Sequence, residues 1–293
     1  GPAVAYAPMR PDAAAEQLAR ELGAVFVLDG PQVLPAFAPE AAVLLLRQQG
    51  PLRISGRPIM GAPVSSAGME EAELCRLAAC LYAGGTRTLG LGMSLGDLCM
   101  DEGFYPAVFA QLAAAAARLR EKSGLTVRIF DLGGGFGVSC RPDCPGPDLS
   151  ACAEALRAQT CALPEALQGV QLSMSPGRFL AAGGGVLVCR VVAVKPGPTA
   201  VLDVSAAQCL RLEKRGAYHE AAALRTAGRP PLLQQLTALE QGAPFARQVL
   251  PQLRVGDPVI IRMLGADGRS FSCASERCPA YLLRADGTIE PIE

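Results

Sequence analysis

Along the first two thirds of the chain, short continuous apolar runs alternate with longer segments whose apolar residues recur every three or four positions. The continuous runs are residues 3–8, 24–29, 41–47, 88–93, 127–132 and 169–173. They lack the alternation of a half-solvated strand, so they predict parallel strands covered on both faces. Between them, residues 13–22, 70–82, 104–122 and 149–160 predict helices. Asp12 is a ready N-cap for the first helix, Gly23 stops it, and Gly84-Gly85 stop the second. Strands that alternate with helices make βαβ units, hence a barrel or a doubly wound sheet.

The texture changes at Gly183. Residues 185–195, 199–204, 258–263 and 280–284 predict strands of a mostly antiparallel β-domain. Proline and glycine punctuate this part densely, as in Pro196-Gly197-Pro198 and Pro230-Pro231. The expected division is an α/β domain over 1–182 and a β-domain over 183–293.

Composition narrows the function classes. Half of the 293 residues are apolar, which supports a sizeable core and excludes disorder. Lys plus Arg and Asp plus Glu each number 27, so the net charge is zero and a nucleic-acid binder is not expected. No apolar run is long enough for a membrane helix, and no signal peptide is visible. Gly1-Pro2 has the form of a protease scar. Eleven scattered cysteines fit reduced thiols in a cytoplasmic protein. The single histidine, His219, excludes a zinc site of the two- or three-His kind.

The sharpest local signal is Asp131-Leu-Gly-Gly-Gly-Phe136. Three glycines after a buried strand let backbone N–H groups approach an anion closely, and a tight turn needing positive φ is the plain alternative. Ser175-Pro-Gly-Arg178 follows another strand, where Arg178 suits a phosphate or carboxylate or simply caps a turn. Arg211, Arg215 and His219 recur every four residues, which on a helix makes one face: a carboxylate site or a solvated basic stripe. The pairs Cys140/Cys144 and Cys273/Cys278 are spaced too loosely for a zinc site, and no metal is expected.

In this order, the pieces resemble the fold-type III pyridoxal-phosphate decarboxylases, and diaminopimelate decarboxylase most of all. Residues 131–136 resemble the family's DLGGGF phosphate loop. Residues 175–195 are similar to its EPGRFLVANAGVLLTRVLYVK stretch, Gly216-Ala-Tyr-His219 to its YGAYH, and residues 250–257 and 263–267 to its LP-x-L-x-x-GD and AGAY regions. The resemblance implies an alanine-racemase-like parallel α/β barrel, a C-terminal β-domain and a head-to-tail homodimer. It implies anion binding at Gly133, Gly134, Gly135, Gly177 and Arg178, and a substrate-carboxylate role for Arg211.

The departures bear on chemistry. The family's YAVKAN strand carries the lysine that forms the Schiff base, whereas Tyr6-Ala-Pro-Met-Arg-Pro11 has Met9 there. A thioether forms no imine. Ser94 replaces the histidine that stacks on the ring, and Ser175 the glutamate that pairs with the pyridine nitrogen. Leu239 opens the stretch matching the family's CESGD, of which only Glu240 and Gly242 persist. Asp267 stands for the tyrosine that touches the phosphate, and Arg215 for a substrate tyrosine. Two βα units are also missing, leaving about six clear strands, with residues 50–54 and 57–62 expected to fill in.

These substitutions predict a pseudoenzyme that acts as a binding or regulatory partner. We expect no cofactor, or at most weak noncovalent pyridoxal phosphate, and either a homodimer or a heteromer with an active relative or pathway enzyme. Two alternatives stand: a repurposed enzyme using Arg178, Arg211, Arg215, His219 and Glu240 on an anionic amino-acid-like substrate without a Schiff base, and a noncovalent binder of pyridoxal phosphate or another phosphate ligand.

Overall fold

The computed structural model describes residues 5–6, 12–30, 42–45, 53–54, 57–58, 68–93, 99–139, 143–205, 208, 219–239, 246–266 and 278–292. The chain forms two compact units. The first comprises Gly1–Val138 and Gly146–Pro176, the second Ser139–Pro145 and Gly177–Glu293.

The first unit is built on a sheet of six strands: β1 (Ala5–Tyr6), β2 (Val25–Leu28), β3 (Ala42–Leu45), β6 (Thr88–Gly92), β7 (Thr126–Asp131) and β8 (Gln171–Ser173). Each of the six apolar runs has become a strand. Their spatial order is β1-β2-β3-β6-β7-β8, and every neighbouring pair is parallel. A doubly wound sheet reverses its strand order at a switch point, whereas this sheet winds in one direction only, as a barrel does. The expected contribution of residues 50–62 to this sheet is corrected. β4 (Arg53–Ile54) and β5 (Arg57–Pro58) pair with each other, antiparallel, as a separate sheet. Two residues separate them, far short of the dozen or more that a parallel crossover needs.

The helices follow their sequence signals. In α1 (Ala13–Glu21) the Asp12 carboxylate accepts the Ala15 N–H at 2.8 Å. α2 (Glu71–Ala83) stops at Gly84, α3 (Phe104–Ser123) ends on left-handed Gly124, and Asp148 caps α4 (Leu149–Cys161). Phe109 of α3 meets Phe130 of β7 edge-on, with centroids 5.4 Å apart, so Phe130 and its strand neighbour Leu91 face the helices. The opposite face carries the registers Val43–Gly90–Ile129 and Leu45–Gly92–Asp131–Ser173. Asp131 therefore stands on the face turned away from the helices, at the carboxyl end of its strand.

The second unit holds β9 (Leu187–Lys195), β10 (Thr199–Leu202), β11 (Ala221–Ala223), β12 (Pro231–Thr237), β13 (Ala246–Pro251) and β14 (Pro258–Ile261), preceded by α5 (Gly177–Ala181). The strand order is β11-β14-β9-β10-β12-β13, antiparallel except for the parallel pair β10 and β12. Val191, Leu202, Leu236 and Val259 anchor its core. A hairpin of β15 (Ala280–Leu283) and β16 (Ile289–Ile292) forms a further two-stranded sheet. No helix among the described residues is long and apolar enough to cross a membrane.

Candidate functional site

β7 delivers the chain into the glycine loop at its carboxyl end. Gly133 and Gly135 take φ values of +67° and +97°, which L side chains rarely adopt. The Gly133 N–H turns back to the Asp131 carboxylate at 3.0 Å. Its carbonyl accepts the Ser175 N–H at 2.9 Å and the Tyr105 O–H at 3.4 Å. The Gly135 carbonyl accepts the Cys99 N–H at 2.9 Å, and Gly137 N–H donates to the Cys99 carbonyl at 2.6 Å. Tyr105 also packs its ring against Phe136, centroids 5.0 Å apart. Among the described residues, the N–H groups of Gly134 and Gly135 meet no acceptor. Two successive free N–H groups beside left-handed glycines make a concavity suited to an anion.

The surrounding titratable groups are set mainly by burial. Asp131 is pushed above the usual carboxylate range by burial, an effect that the Gly133 N–H only partly offsets. Burial, and after it the neighbouring Cys152 and Asp131, pushes the Tyr105 phenol well up, so it stays a hydrogen-bond donor. Burial also raises the Cys99 and Cys152 thiols, which makes them poor nucleophiles.

The residues expected from sequence divide between the two units. Gly133, Gly134, Gly135 and Ser175 come together in the first. Gly177 and Arg178 open α5 in the second. There the turn leading to Asp267 is pinned to the segment after α5: Leu264 N–H donates to Gly185 O at 2.9 Å and Gly265 N–H to Ala182 O at 3.0 Å. Met263 in that turn has φ +63°. Leu239 is exposed and donates its N–H to Val204 O at 3.0 Å.

His219 requires a correction, because it lies on no helical face. It precedes β11, is 3% exposed, and presents Nδ1 to the Arg262 carbonyl at 2.9 Å. A carbonyl only accepts, so Nδ1 carries the proton. The cause is the antiparallel pairing of β11 with β14, which draws residue 219 against residue 262. Met9, Ser94, Arg211, Arg215, Glu240 and Asp267, with Cys140 and Cys273, lie outside the described residues. The described residues contain no group of three or more His, Cys, Asp or Glu able to hold a metal. Tyr105 and Cys99 were not legible as site residues, since one reads as a helix-core aromatic and the other as a lone thiol.

Known proteins match the segment that carries this loop. The profile of the family described as "Pyridoxal-dependent decarboxylase, pyridoxal binding domain" matches residues 68–182, the segment that holds the loop and its supports. Over this segment the chain is similar to the pyridoxal-dependent decarboxylases. Diaminopimelate decarboxylase of Campylobacter jejuni subsp. jejuni is 33% identical over 193 residues, covering 63% of this chain and 46% of that protein. Protein TabA of Pseudomonas amygdali pv. tabaci is 29% identical over 283 residues, covering 92% and 66%. The chain thus spans between about half and two thirds of the length of these two relatives. In fold it matches diaminopimelate decarboxylase of M. jannaschii in complex with L-lysine, with TM-score 0.82 at 17% identity, covering 98% of this chain and 70% of that one. The Helicobacter pylori enzyme complexed with L-lysine gives TM-score 0.76 at 19% identity, covering 98% and 74%.

The matched profile is that of a pyridoxal-binding domain, which overturns the expectation of no cofactor or only weak noncovalent pyridoxal phosphate. That expectation rested on the missing lysine, and the phosphate end of such a site is built separately from backbone N–H groups. The residues present fit the group at that end: the 133–135 loop offers two free N–H groups beside Ser175. At the ring nitrogen the resemblance expects a carboxylate, and Ser175 offers a hydroxyl instead.

Proposed function

We propose that the chain is a decarboxylase-like pseudoenzyme that holds a pyridoxal-type phosphate on the 133–135 loop and acts by binding. The observation that carries this reading is the hydrogen bond from Ser175 N–H to Gly133 O, 2.9 Å. It supports Ser175 as the counterpart of the acid that the resemblance assigns to the pyridine nitrogen. Pyridoxal phosphate, when bound, supplies an electron sink, which depends on that nitrogen being protonated. A serine hydroxyl, unlike a carboxylate, does not hold that proton.

The lysine inventory supports the same reading. The sequence has three lysines, Lys122, Lys195 and Lys214, and only Lys122 belongs to the first unit. Lys122 is exposed in the last turn of α3, beside the start of β7, whereas the glycine loop follows the end of β7. The six residues of β7 span roughly 20 Å, beyond the reach of a lysine side chain. Burial of His219 removes the only imidazole from the repurposed-enzyme reading.

We further propose a cytoplasmic location, in keeping with the eleven scattered cysteines of the sequence, and assembly either with a second copy or with an active relative. The decisive experiment is a pyridoxal phosphate titration of the full chain, followed by borohydride reduction, intact mass and a carbon dioxide release assay on diaminopimelate, ornithine and arginine. Saturable binding with no trapped lysine and no carbon dioxide is expected. A trapped adduct at any of the three lysines, or turnover of any of the three substrates, overturns the reading.

A further inference from the structure

One side chain from outside the glycine loop holds both of its ends. Tyr105, in the first turn of α3, is 2% exposed. Its phenol O–H donates to the Gly133 carbonyl at 3.4 Å. The ring is fixed in turn by Phe136 and by Phe104, with centroids 5.0 and 5.1 Å away. Between the two stapled residues lie Gly134 and Gly135, the pair whose N–H groups find no acceptor among the described residues.

We infer that Tyr105 is the positioning residue of the phosphate loop, its hydroxyl holding residue 133 and its ring holding residue 136 so that the Gly134 and Gly135 N–H groups stay aimed at a phosphate dianion. The inference rests on reading the loop as a phosphate site. Consecutive glycines have more backbone freedom than any other residues, and that freedom is lost when a ligand is gripped. A loop held in shape beforehand loses less of it on binding. The phenol suits the task because its O–H reaches the Gly133 carbonyl while its ring packs on Phe136. Tyr105 touches no ligand in this scheme and acts only through the loop.

The test compares the full-length wild type with Tyr105→Phe, which keeps the ring and removes the hydroxyl. Pyridoxal phosphate, pyridoxal and inorganic phosphate are titrated against each. The wild type is expected to bind pyridoxal phosphate more tightly than pyridoxal, with inorganic phosphate competing. Tyr105→Phe is expected to lose about three- to tenfold in affinity for pyridoxal phosphate and none for pyridoxal. Equal losses for both ligands indicate a merely structural role and overturn the inference, as does an unchanged ratio. A wild type that does not distinguish pyridoxal phosphate from pyridoxal overturns the loop reading itself, and this inference with it. Should Tyr105→Phe fail to fold, amide hydrogen exchange of the wild type decides. Protection of the Ser175 and Gly137 amides without ligand, and of Gly134 and Gly135 only with pyridoxal phosphate, supports a loop held in shape beforehand. Ser175 and Gly137 exchanging as fast as the glycines overturns it.

Discussion

Ser175 grips Gly133 and crowds Gly134 at once. Its N–H donates to the Gly133 carbonyl at 2.9 Å, while its own carbonyl oxygen lies 2.7 Å from where a Cβ on Gly134 would begin. The neighbour is backbone, held by the end of β8, so it cannot swing aside like a side-chain tip. Gly134→Ala is therefore expected to displace the loop, cost about 1–3 kcal/mol of stability and weaken pyridoxal phosphate binding. Chemical denaturation and a ligand titration read the two effects. Wild-type affinity in a stable Gly134→Ala protein would show that the loop does not take this shape.

Asp131 gives the first unit a pH dependence of definite sign. Burial makes its carboxyl keep its proton to higher pH in the folded chain than in the unfolded one. Between the two pKa values the folded state binds more protons, so stability falls as pH rises through that interval. The stability is fully present below the ordinary carboxylate value and lost above the raised one. Asp131→Asn removes the titration and keeps an oxygen to accept the Gly133 N–H. The variant is expected to be the more stable protein near neutral pH, with the advantage shrinking below about pH 4. An advantage that is constant across pH would mean that Asp131 is not the group responsible.

The second unit carries the opposite dependence. Arg229 clamps the Asp257 carboxylate through both terminal nitrogens, one contact being 3.1 Å, and Arg254 N–H adds a hydrogen bond at 2.7 Å. Together these hold Asp257 below its usual range, the Arg229 hydrogen bond foremost. Their contribution is present above the unfolded value and lost as pH falls through the depressed one. The pair is largely buried, so Arg229→Ala strands a carboxylate and is expected to cost about 3 kcal/mol. Asp257→Asn should cost less and abolish the acid-side loss. Urea titrations at neutral and acid pH separate the two variants, and equal effects would exclude the clamp as their source.

Legibility in the sequence followed the kind of burial. β6 was readable because residues 89–92 are all buried, so the strand forms an unbroken apolar run. β12 and β13 were not, because each buries a glutamine in mid-strand. Gln234 is 2% exposed, accepting the Leu253 N–H and donating to Pro251 O, and Gln248 is 7% exposed, bonded to Ala221 and His219. These amides satisfy backbone groups at the sheet margins, which sequence patterning reads as polar interruptions. Pro231 reads as a breaker yet occupies the first position of β12, where a strand tolerates proline. The glycine loop announced itself, but Tyr105 acts on it from 28 residues away, and no local pattern encodes that contact.

The packing of β3, β6 and β7 is tested at Gly90. A Cβ there would stand 2.7 Å from Val43 Cγ2 and 3.1 Å from Ile129 Cβ. Val43 is 2% exposed, and both neighbours are β-branched, with little rotamer freedom to yield. The Ile129 contact is to a Cβ atom, which moves only if the β7 backbone moves. Alanine recovers about 0.5–1 kcal/mol of the entropy that glycine loses in a strand. Overpacking costs about 1–3 kcal/mol, so the net effect of Gly90→Ala is destabilising. The expected readout is a lower urea midpoint with an unchanged slope, since the surface exposed on unfolding stays the same. Gly23→Ala is a poor control because Gly23 has φ +63°, but Gly146→Ala meets nothing within 4 Å and should leave the midpoint in place. A Gly90→Ala protein as stable as wild type would mean that β3 and β7 do not close over β6 at this register.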